Sequence, residues 1–273
     1  MNIYPLGTTT SQNPLRVGGK AAHLARLAAR HPVPPGFCIG AGAELAQPFN
    51  EVLSRAYRRL GQRCGAVPLP VAVRSSAVDE DGLQASFAGQ HESYLNVSGE
   101  EAVRQAVDRC IESARSQRAL AYRQARGLDD HSGVAVLVQQ FIPADVSAVV
   151  FSADPTSGER GCVVINAAWG IGESLVGGEV TPDLYRVSKD DLRVTARLVA
   201  DKAVMTVACP EGTRQVAVPR ALRREPALDD GQIRALALLA LRLEATQGWA
   251  VDLECSFYQE RLYLLQCRPV TTL

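Results

Sequence analysis

The stretch Val71–Val97, VAVRSSAVDEDGLQASFAGQHESYLNV, sets out the organisation of this chain. Its ends, Val71–Val73 and Tyr94–Val97, are apolar runs typical of strands, and the middle is polar and punctuated by glycine. Arg74 therefore lies at a strand end, before a loop of small residues. An arginine offers a rigid fork of donors suited to phosphate oxygens, and such a loop lets backbone N–H groups approach a polyphosphate. The stretch predicts phosphate chemistry; the alternative is an arginine that pairs with a carboxylate of residues 79–81 beside an ordinary surface loop.

Length and composition predict a globular protein of one large or two modest domains. The 273 residues are 47% hydrophobic and 21% charged, with a formal net charge of zero, so no charge excess favours nucleic acid or a membrane surface. Seven cysteines without a Cys-x-x-Cys pair indicate neither a disulfide framework nor a zinc site, which favours a reducing compartment. The N-terminus lacks a signal-peptide pattern and no apolar run is long enough to span a bilayer. We therefore expect a cytoplasmic protein.

Apolar periodicity predicts a mixed α and β chain whose second half is rich in strands. The predicted helices are Gly18–Arg30, Leu45–Leu60, Glu100–Arg126 and Asp229–Thr246. The predicted strands, besides the two in the opening stretch, are Val134–Ile142, Ala148–Ser152, Cys162–Ala167, Asp183–Val187, Arg193–Val199, Gln215–Val218, Val251–Phe257 and Leu262–Gln266. This pattern favours a division into two lobes, residues 1–133 and 134–273.

A lysine at the start of the first predicted helix is unusual for this chain. Only three lysines occur, against 26 arginines, and Lys20 directly follows Gly18 and Gly19. The N-terminus of a helix favours anions, and a lysine there supplies a compact point charge. Lys20 is therefore a candidate phosphate contact; the alternative is a lysine retained by chance on a helix turn.

The last two predicted strands form a hairpin that carries polar residues on one face. Asp252 and Glu254 alternate with apolar neighbours, and Gln266 and Arg268 repeat that two-residue spacing. If the strands pair, a carboxylate, an amide and a guanidinium converge at a place where magnesium could bridge phosphates with few protein ligands. The alternative is a hairpin face that only contacts solvent.

Four blocks in this order resemble the nucleotide-binding domain shared by phosphoenolpyruvate synthase, pyruvate phosphate dikinase and rifampin phosphotransferase. The blocks are Val17–Phe37, Val73–Val97, Val138–Glu173 and Val251–Val270. The resemblance covers nearly the whole chain. It implies an α/β protein of the ATP-grasp fold, in which two lobes hold the nucleotide in the cleft between them, with ATP and Mg²⁺ as cofactors.

The resemblance also implies roles for particular residues. Lys20, Arg74 and Arg268 would be catalytic and contact phosphates, and Glu254 and Gln266 would hold the metal. Gly89 and Gln90 belong to a loop over the nucleotide. Gln139, Phe141 and Ile142 lie where the hinge between the lobes meets adenine, although a plain buried strand is the alternative there. Gly170 and Gly172 match a family signature whose glycines could serve only close packing.

The activity implied is phosphotransfer of the dikinase type, in which ATP is split to AMP and a histidine on a mobile domain carries the phosphoryl group. No such histidine domain or acceptor domain follows Leu273 in this sequence. We therefore expect a nucleotide-binding domain that acts with a separately encoded phosphohistidine partner. The alternatives are a self-sufficient enzyme that phosphorylates or activates a small-molecule acceptor, and a non-catalytic ATP-binding subunit.

Overall fold

The structure, a computed structural model, describes residues 3–41, 47–77, 93–113 and 134–271. These form two compact units: Met1–Phe141 with Pro210–Gly212, and Ile142–Cys209 with Thr213–Leu273. Each unit combines helices with an antiparallel sheet, so the predicted α/β class is confirmed. No helix in the described ranges is both long and apolar enough to cross a bilayer.

The first unit is built on a five-stranded sheet in the order β1-β2-β5-β3-β4. Every neighbouring pair is antiparallel. The strands are β1 (Ile3–Pro5), β2 (Gly36–Ile39), β3 (Val71–Ser76), β4 (Ser93–Val97) and β5 (Ala135–Gln140).

Helices cover both faces of this sheet. They are α1 (Pro14–Val17), α2 (Gly19–Leu27), α3 (Gln47–Cys64) and α4 (Glu100–Ser113). Helices α3 and α4 pack on the face that carries Phe37, Val73 and Val138. Helix α2 packs on the other face, against Cys38 and Leu137. The two-residue alternation of the strands therefore divides this unit into two separate apolar layers.

The second unit is built on a six-stranded antiparallel sheet in the order β13-β12-β6-β7-β8-β9. Its strands are β6 (Val146–Phe151), β7 (Cys162–Trp169), β8 (Asp183–Ser188), β9 (Val194–Leu198), β12 (Val251–Tyr258) and β13 (Arg261–Pro269). A separate two-stranded sheet consists of β10 (Val204–Cys209) and β11 (Gly212–Ala217), and the helices are α5 (Glu173–Val176) and α6 (Asp230–Gln247).

Helix α6 covers one face of the six-stranded sheet. It begins with a capping box between Asp229 and Gln232 and ends at Gly248, whose φ of 77° is in the left-handed region. It packs against β6, β7 and β12. Residues on one face of those strands, such as Val150 and Leu253, are fully buried. Their neighbours in sequence are less buried, which leaves the opposite face of the sheet available for a ligand.

Some elements differ from the predictions. Strands β1, β2 and β10 were not predicted, because runs of only three to six residues carry too little periodicity to be recognised. Strand β5, assigned from the sequence to a lobe starting at residue 134, pairs with β2 and β3 and belongs to the first unit. The units meet in the chain after Phe141 rather than after residue 133. The predicted helix from Glu100 lies within the described residues only as far as Ser113.

Candidate functional site

The start of α2 is packed tightly against the end of β3. Gly18 has a φ of 79°, and a Cβ on it would lie 2.1 Å from the backbone oxygen of Ser76. Gly19 N–H donates to the Ala77 carbonyl at 2.8 Å, and Ala21 N–H donates to Ser76 Oγ at 3.1 Å. Only glycine fits at Gly18, because a side chain would be both strained and sterically excluded. This contact places the first turn of α2 at the strand end that the sequence identified.

Lys20 and Arg74 lie on the same side of the first sheet. Lys20 is in the first turn of α2 and is buried. Arg74 is paired with Leu137, whose side chain contributes to the apolar layer under α2, and it lies two residues before Ser76 on the same strand face. The structure thus associates the two predicted cations of this unit with one strand end.

The hinge candidates are engaged mainly by their own chain. Gln139 is buried, and its Nε2 donates to the Pro34 carbonyl at 2.9 Å. The Phe141 N–H donates to the Pro70 carbonyl at 3.0 Å, and the Ile142 carbonyl accepts from Ala144 N–H at 2.9 Å. The Gln139 side chain and the Phe141 N–H therefore both have structural roles.

In the second unit the predicted hairpin is formed by β12 and β13. Glu254 lies directly opposite Gln266, and Asp252 directly opposite Arg268. Residues opposite each other in an antiparallel pair have Cβ atoms about 5 Å apart, so each pair can act on one ligand. The register of β12 and β13 therefore brings the alternating polar residues of the two strands together as two cross-strand pairs on one face.

Asp252 holds Arg268 in place. Arg268 Nε donates to Asp252 Oδ2 at 2.7 Å, and the carboxylate side chain is 8% exposed. Burial raises the pKa of Asp252, and the Arg268 charge opposes part of that rise. The second oxygen, Oδ1, is buried and has no hydrogen-bond partner within the described part of the chain. The sequence placed Asp252 on the polar face but assigned it no role; its place opposite Arg268 became evident only from the register.

Glu254 and Arg268 border an open pocket of about 340 Å³ on the sheet face away from α6. Asn166 of β7 also lines this pocket. In the sheet register, Asn166 lies opposite Val149 of β6, and Val149 lies opposite Glu254. Sequence reasoning missed Asn166; the available signal was a single amide in the otherwise apolar run Cys162–Trp169. The rest of the lining is apolar: Val149, Phe151, Leu175, Val176 and Pro182.

The glycine signature beside this pocket serves close packing at its first position. Gly170 has a φ of 78°, and a Cβ there would lie 2.3 Å from the Thr206 backbone oxygen. Its carbonyl accepts from Ser147 Oγ at 2.8 Å. Gly172 has ordinary contacts, and Glu173 begins α5, which supplies Leu175 and Val176 to the pocket.

Two further observations concern the predicted nucleotide loop and metal ligands. Gly89 and Gln90 lie outside the described residues, so the predicted loop over the nucleotide is not placed. No cluster of three or more His, Cys, Asp or Glu side chains occurs among residues 3–41, 47–77, 93–113 and 134–271.

Comparison with known proteins identifies the family. The family described as "Pyruvate phosphate dikinase, AMP/ATP-binding domain" matches residues 41–273. The chain belongs to this family. A probable phosphoenolpyruvate synthase of Methanocaldococcus jannaschii is 38% identical, with 85% of this chain and 20% of that protein covered. A rifampicin phosphotransferase of Streptomyces sviceus is 33% identical, with 94% of this chain and 34% of that protein covered. The chain thus spans between a fifth and about a third of these relatives.

The pyruvate phosphate dikinase AMP/ATP-binding family predicted from the sequence is therefore confirmed. The family match begins at residue 41, after Lys20, but the Streptomyces alignment covers more of the chain and so reaches beyond it on the N-terminal side. Among solved structures, a dinucleotide-forming acetyl-coenzyme A synthetase of Ca. Korarchaeum cryptofilum covers 90% of each chain at 16% identity, with a TM-score of 0.45.

Proposed function

We propose that this chain is the nucleotide-binding part of a dikinase-type phosphotransferase, which binds ATP with Mg²⁺ and passes a phosphoryl group to a histidine of a partner domain or to a small-molecule acceptor. The observation that carries the proposal is the polar face of β12 and β13, where Glu254 opposes Gln266 and Asp252 orients Arg268 beside a pocket. That face occurs in a chain of the AMP/ATP-binding family.

Cations are the main requirement of this chemistry. Phosphoryl transfer places negative charge on non-bridging oxygens, and catalysis consists mostly of positioning and electrostatic stabilisation. We assign Lys20, Arg74 and Arg268 to the phosphates. The first two share a sheet face in the first unit, and the third is held by a buried carboxylate in the second. The proposal requires that both units act on one ATP molecule, as the two lobes of an ATP-grasp fold do.

The residues of the second unit fit a magnesium ion. Glu254 and Gln266 present a carboxylate and an amide oxygen from opposed positions, and magnesium commonly takes one or two protein ligands together with phosphates. The unpartnered Oδ1 of Asp252 adds an acceptor on the same face. Magnesium, when bound, would neutralise charge on the phosphates. A cytoplasmic location is also part of this proposal, in keeping with seven free cysteines.

The products of ATP test the proposal. The purified chain is incubated with ATP and Mg²⁺, alone, with candidate small molecules, and with a histidine-carrying partner domain. Formation of AMP with the partner supports the dikinase reaction, and ADP with a small molecule supports the simple-kinase alternative. Binding of Mg·ATP without turnover under any condition supports a binding-only subunit. Failure to bind Mg·ATP by calorimetry would overturn all three.

Glu254 provides the sharpest variant. Glu254→Gln removes the metal's carboxylate while keeping the side-chain shape, so we expect the dependence of ATP binding on Mg²⁺ to be lost or shifted at least tenfold. Glu225→Gln, at an exposed position outside the pocket, is the matched control. Equal magnesium dependence in both variants would remove Glu254 from the site.

A further inference from the structure

A second pocket lies at the edge of the first sheet, between α3 and strands β1 and β2. Its volume is about 360 Å³, which is within the range of small-molecule sites. Pairing of Pro5 with Phe37 places their side chains on the sheet face under α3. The lining residues are Ile3, Pro5, Gly36, Phe37, Val52, Arg55, Ala56, Arg59, Leu60 and Arg63.

The floor and the rim of this edge pocket differ in chemistry. Strand residues Ile3 and Phe37 and helix residues Ala56 and Leu60 give an apolar floor. The rim is an arginine stripe, Arg55, Arg59 and Arg63, whose spacing of four residues places all three on one side of α3. An apolar chamber that opens onto guanidinium groups suits a ligand with an apolar body and an anionic head.

Carboxylates within the described residues balance the charge of the stripe only in part. Arg58, on another side of α3, pairs with Glu100 at 3.2 Å, but no ion pair is formed there by Arg55, Arg59 or Arg63. Glu51, the sole acidic residue of α3, lies one turn before Arg55 and can offset at most one of the three charges. Like charges one turn apart repel each other and destabilise a helix. An anion bound to the stripe would relieve that repulsion and form bidentate hydrogen bonds.

The edge pocket is separate from the proposed ATP contacts of this unit. Arg74 lies on the sheet face covered by α2, and Lys20 belongs to α2 itself. The edge pocket lies on the opposite face, under α3. The sheet therefore separates the arginine stripe from both cations, and its charges are not needed for the phosphates of ATP.

We propose that the edge pocket binds a small amphipathic anion, a carboxylate or phosphate monoester carried on an alkyl or aryl group. The apolar body would occupy the floor against Phe37 and Leu60, and the head would accept hydrogen bonds from the arginine stripe. Burial of the body and charge-assisted contacts to the head are both needed for affinity, so neither a neutral amphiphile nor inorganic phosphate alone should bind comparably.

Calorimetric titration of the whole chain, with the ATP site first saturated by a non-hydrolysable ATP analogue and Mg²⁺, tests this proposal. The probes are octyl phosphate and octanoate, both below their micelle-forming concentrations, with neutral octyl glucoside and inorganic phosphate for comparison. We expect both anions to bind at one site and the two comparison compounds at least tenfold more weakly. The ratio of octyl phosphate to octanoate affinity distinguishes the two head groups. Equal binding of octyl glucoside, or no binding of either anion, would overturn the proposal.

Two variants locate the binding. Arg55→Gln/Arg59→Gln/Arg63→Gln should weaken octyl phosphate binding at least tenfold, whereas three exposed arginines of the second unit changed together, Arg214→Gln/Arg220→Gln/Arg234→Gln, should change it less than twofold. Ala56→Phe should fill the floor and abolish binding while all three rim charges remain. Thermal unfolding of each variant shows whether it is folded. If Ala56→Phe is unstable, the Arg55/Arg59/Arg63 variant still tests the site, because it changes only surface side chains. Unchanged affinity in the Arg55/Arg59/Arg63 variant would refute the site.

Discussion

At the scale of single residues, two glycines of similar φ differ in how closely other atoms approach them. Gly18 and Gly65 have nearly the same positive φ, 79° and 74°, but only Gly18 lies against other backbone, that of Ser76. The sequence drew attention to Gly18 only because it precedes Lys20, a candidate phosphate contact. The structure adds a reason that is independent of any ligand, since α2 could not meet β3 with a side chain at this position.

The two glycines give a matched pair of substitutions. Gly65→Ala should destabilise the chain by about 1 kcal/mol, the strain of a left-handed residue with open space around it. Gly18→Ala should cost more than this, because a Cβ 2.1 Å from a backbone oxygen forces α2 away from β3. Urea denaturation measures both, and Mg·ATP titration of the folded variants should show weaker binding for Gly18→Ala alone. Equal effects of the two substitutions would contradict the docking of α2 described above.

His23 makes the stability of the first unit depend on pH. Burial, with a smaller contribution from Arg26, lowers the pKa of His23 to about 4. The unfolded chain therefore binds this proton more readily than the folded chain. The folded state keeps its full stability above pH 6.5, the ordinary pKa of histidine. It loses stability as the pH falls from there toward about 4, the pKa of His23 in the folded chain. The loss is on the order of 2–3 kcal/mol by the time pH 4 is reached.

The prediction is tested by urea denaturation of wild-type chain and His23→Gln at several pH values between 7 and 4. The variant should lose less stability over this range, because glutamine does not titrate. Parallel curves for the two proteins would show that His23 does not titrate differently in the folded and unfolded states.

At the scale of elements, a buried ion pair holds the start of β8 against two loops. Asp183 accepts hydrogen bonds from Lys202 Nζ at 2.5 Å, Ala200 N–H at 2.9 Å and Ala227 N–H at 2.8 Å. Both charged side chains are fully buried. Tyr185 also donates to this carboxylate, at 3.2 Å. One of the few lysines of the chain is thus structural and was not recognisable as such from its sequence context.

Removal of this lysine should be severe. Lys202→Met leaves a buried carboxylate without its cation, and breaking such a pair costs about 3–5 kcal/mol. Lys189→Met, which removes a more exposed pair with Glu244, should cost about 1 kcal/mol or less. Thermal unfolding of both variants measures the difference. A loss of less than 1 kcal/mol in Lys202→Met would show that the backbone donors satisfy Asp183 by themselves.

Asp252 and Arg268 illustrate the same dependence on strand pairing. Asp252→Ala should leave the fold of the hairpin intact but release the guanidinium, so we expect Mg·ATP affinity to fall by about 1.5–3 kcal/mol, the range of a hydrogen bond between charged groups. Isothermal titration provides the measurement. Arg268→Ala should cause a similar loss, and the double variant little more than either single one, because the two side chains act as a unit. Additive losses would show that Asp252 does not act through Arg268.

At the scale of the whole molecule, the proposed function requires that two compact units respond to one ligand. Hydrogen exchange measured with and without Mg·ATP should therefore show protection in both the α2–β3 region around Gly19 and Ser76 and the β12–β13 hairpin. Lys20→Ala should reduce the protection in both regions, since it weakens binding of the shared nucleotide. Protection confined to one unit would contradict a shared site, although it would leave the edge pocket proposal unaffected.

Much of this organisation was accessible from the sequence, and the reason is local periodicity. Apolar spacing predicted the long helix Asp230–Gln247 nearly to its ends, and alternation predicted the strands that carry Glu254 and Gln266. The four blocks identified the family, which the comparisons confirm. Patterns that repeat within a few residues are set by the backbone geometry of a helix or strand and can be recognised without any tertiary contact.

What the sequence by itself determined is therefore the α/β class and the family, and it supplied the candidate residues for phosphate and metal. Only the tertiary structure decided that Asp252 meets Arg268, that Asn166 faces the pocket of Glu254, and that β5 belongs with β2 and β3. The physical reason is that strand register and sheet order depend on contacts between segments that can be a hundred residues apart. A two-residue alternation states which side chains share a face, but not which strand lies beside it.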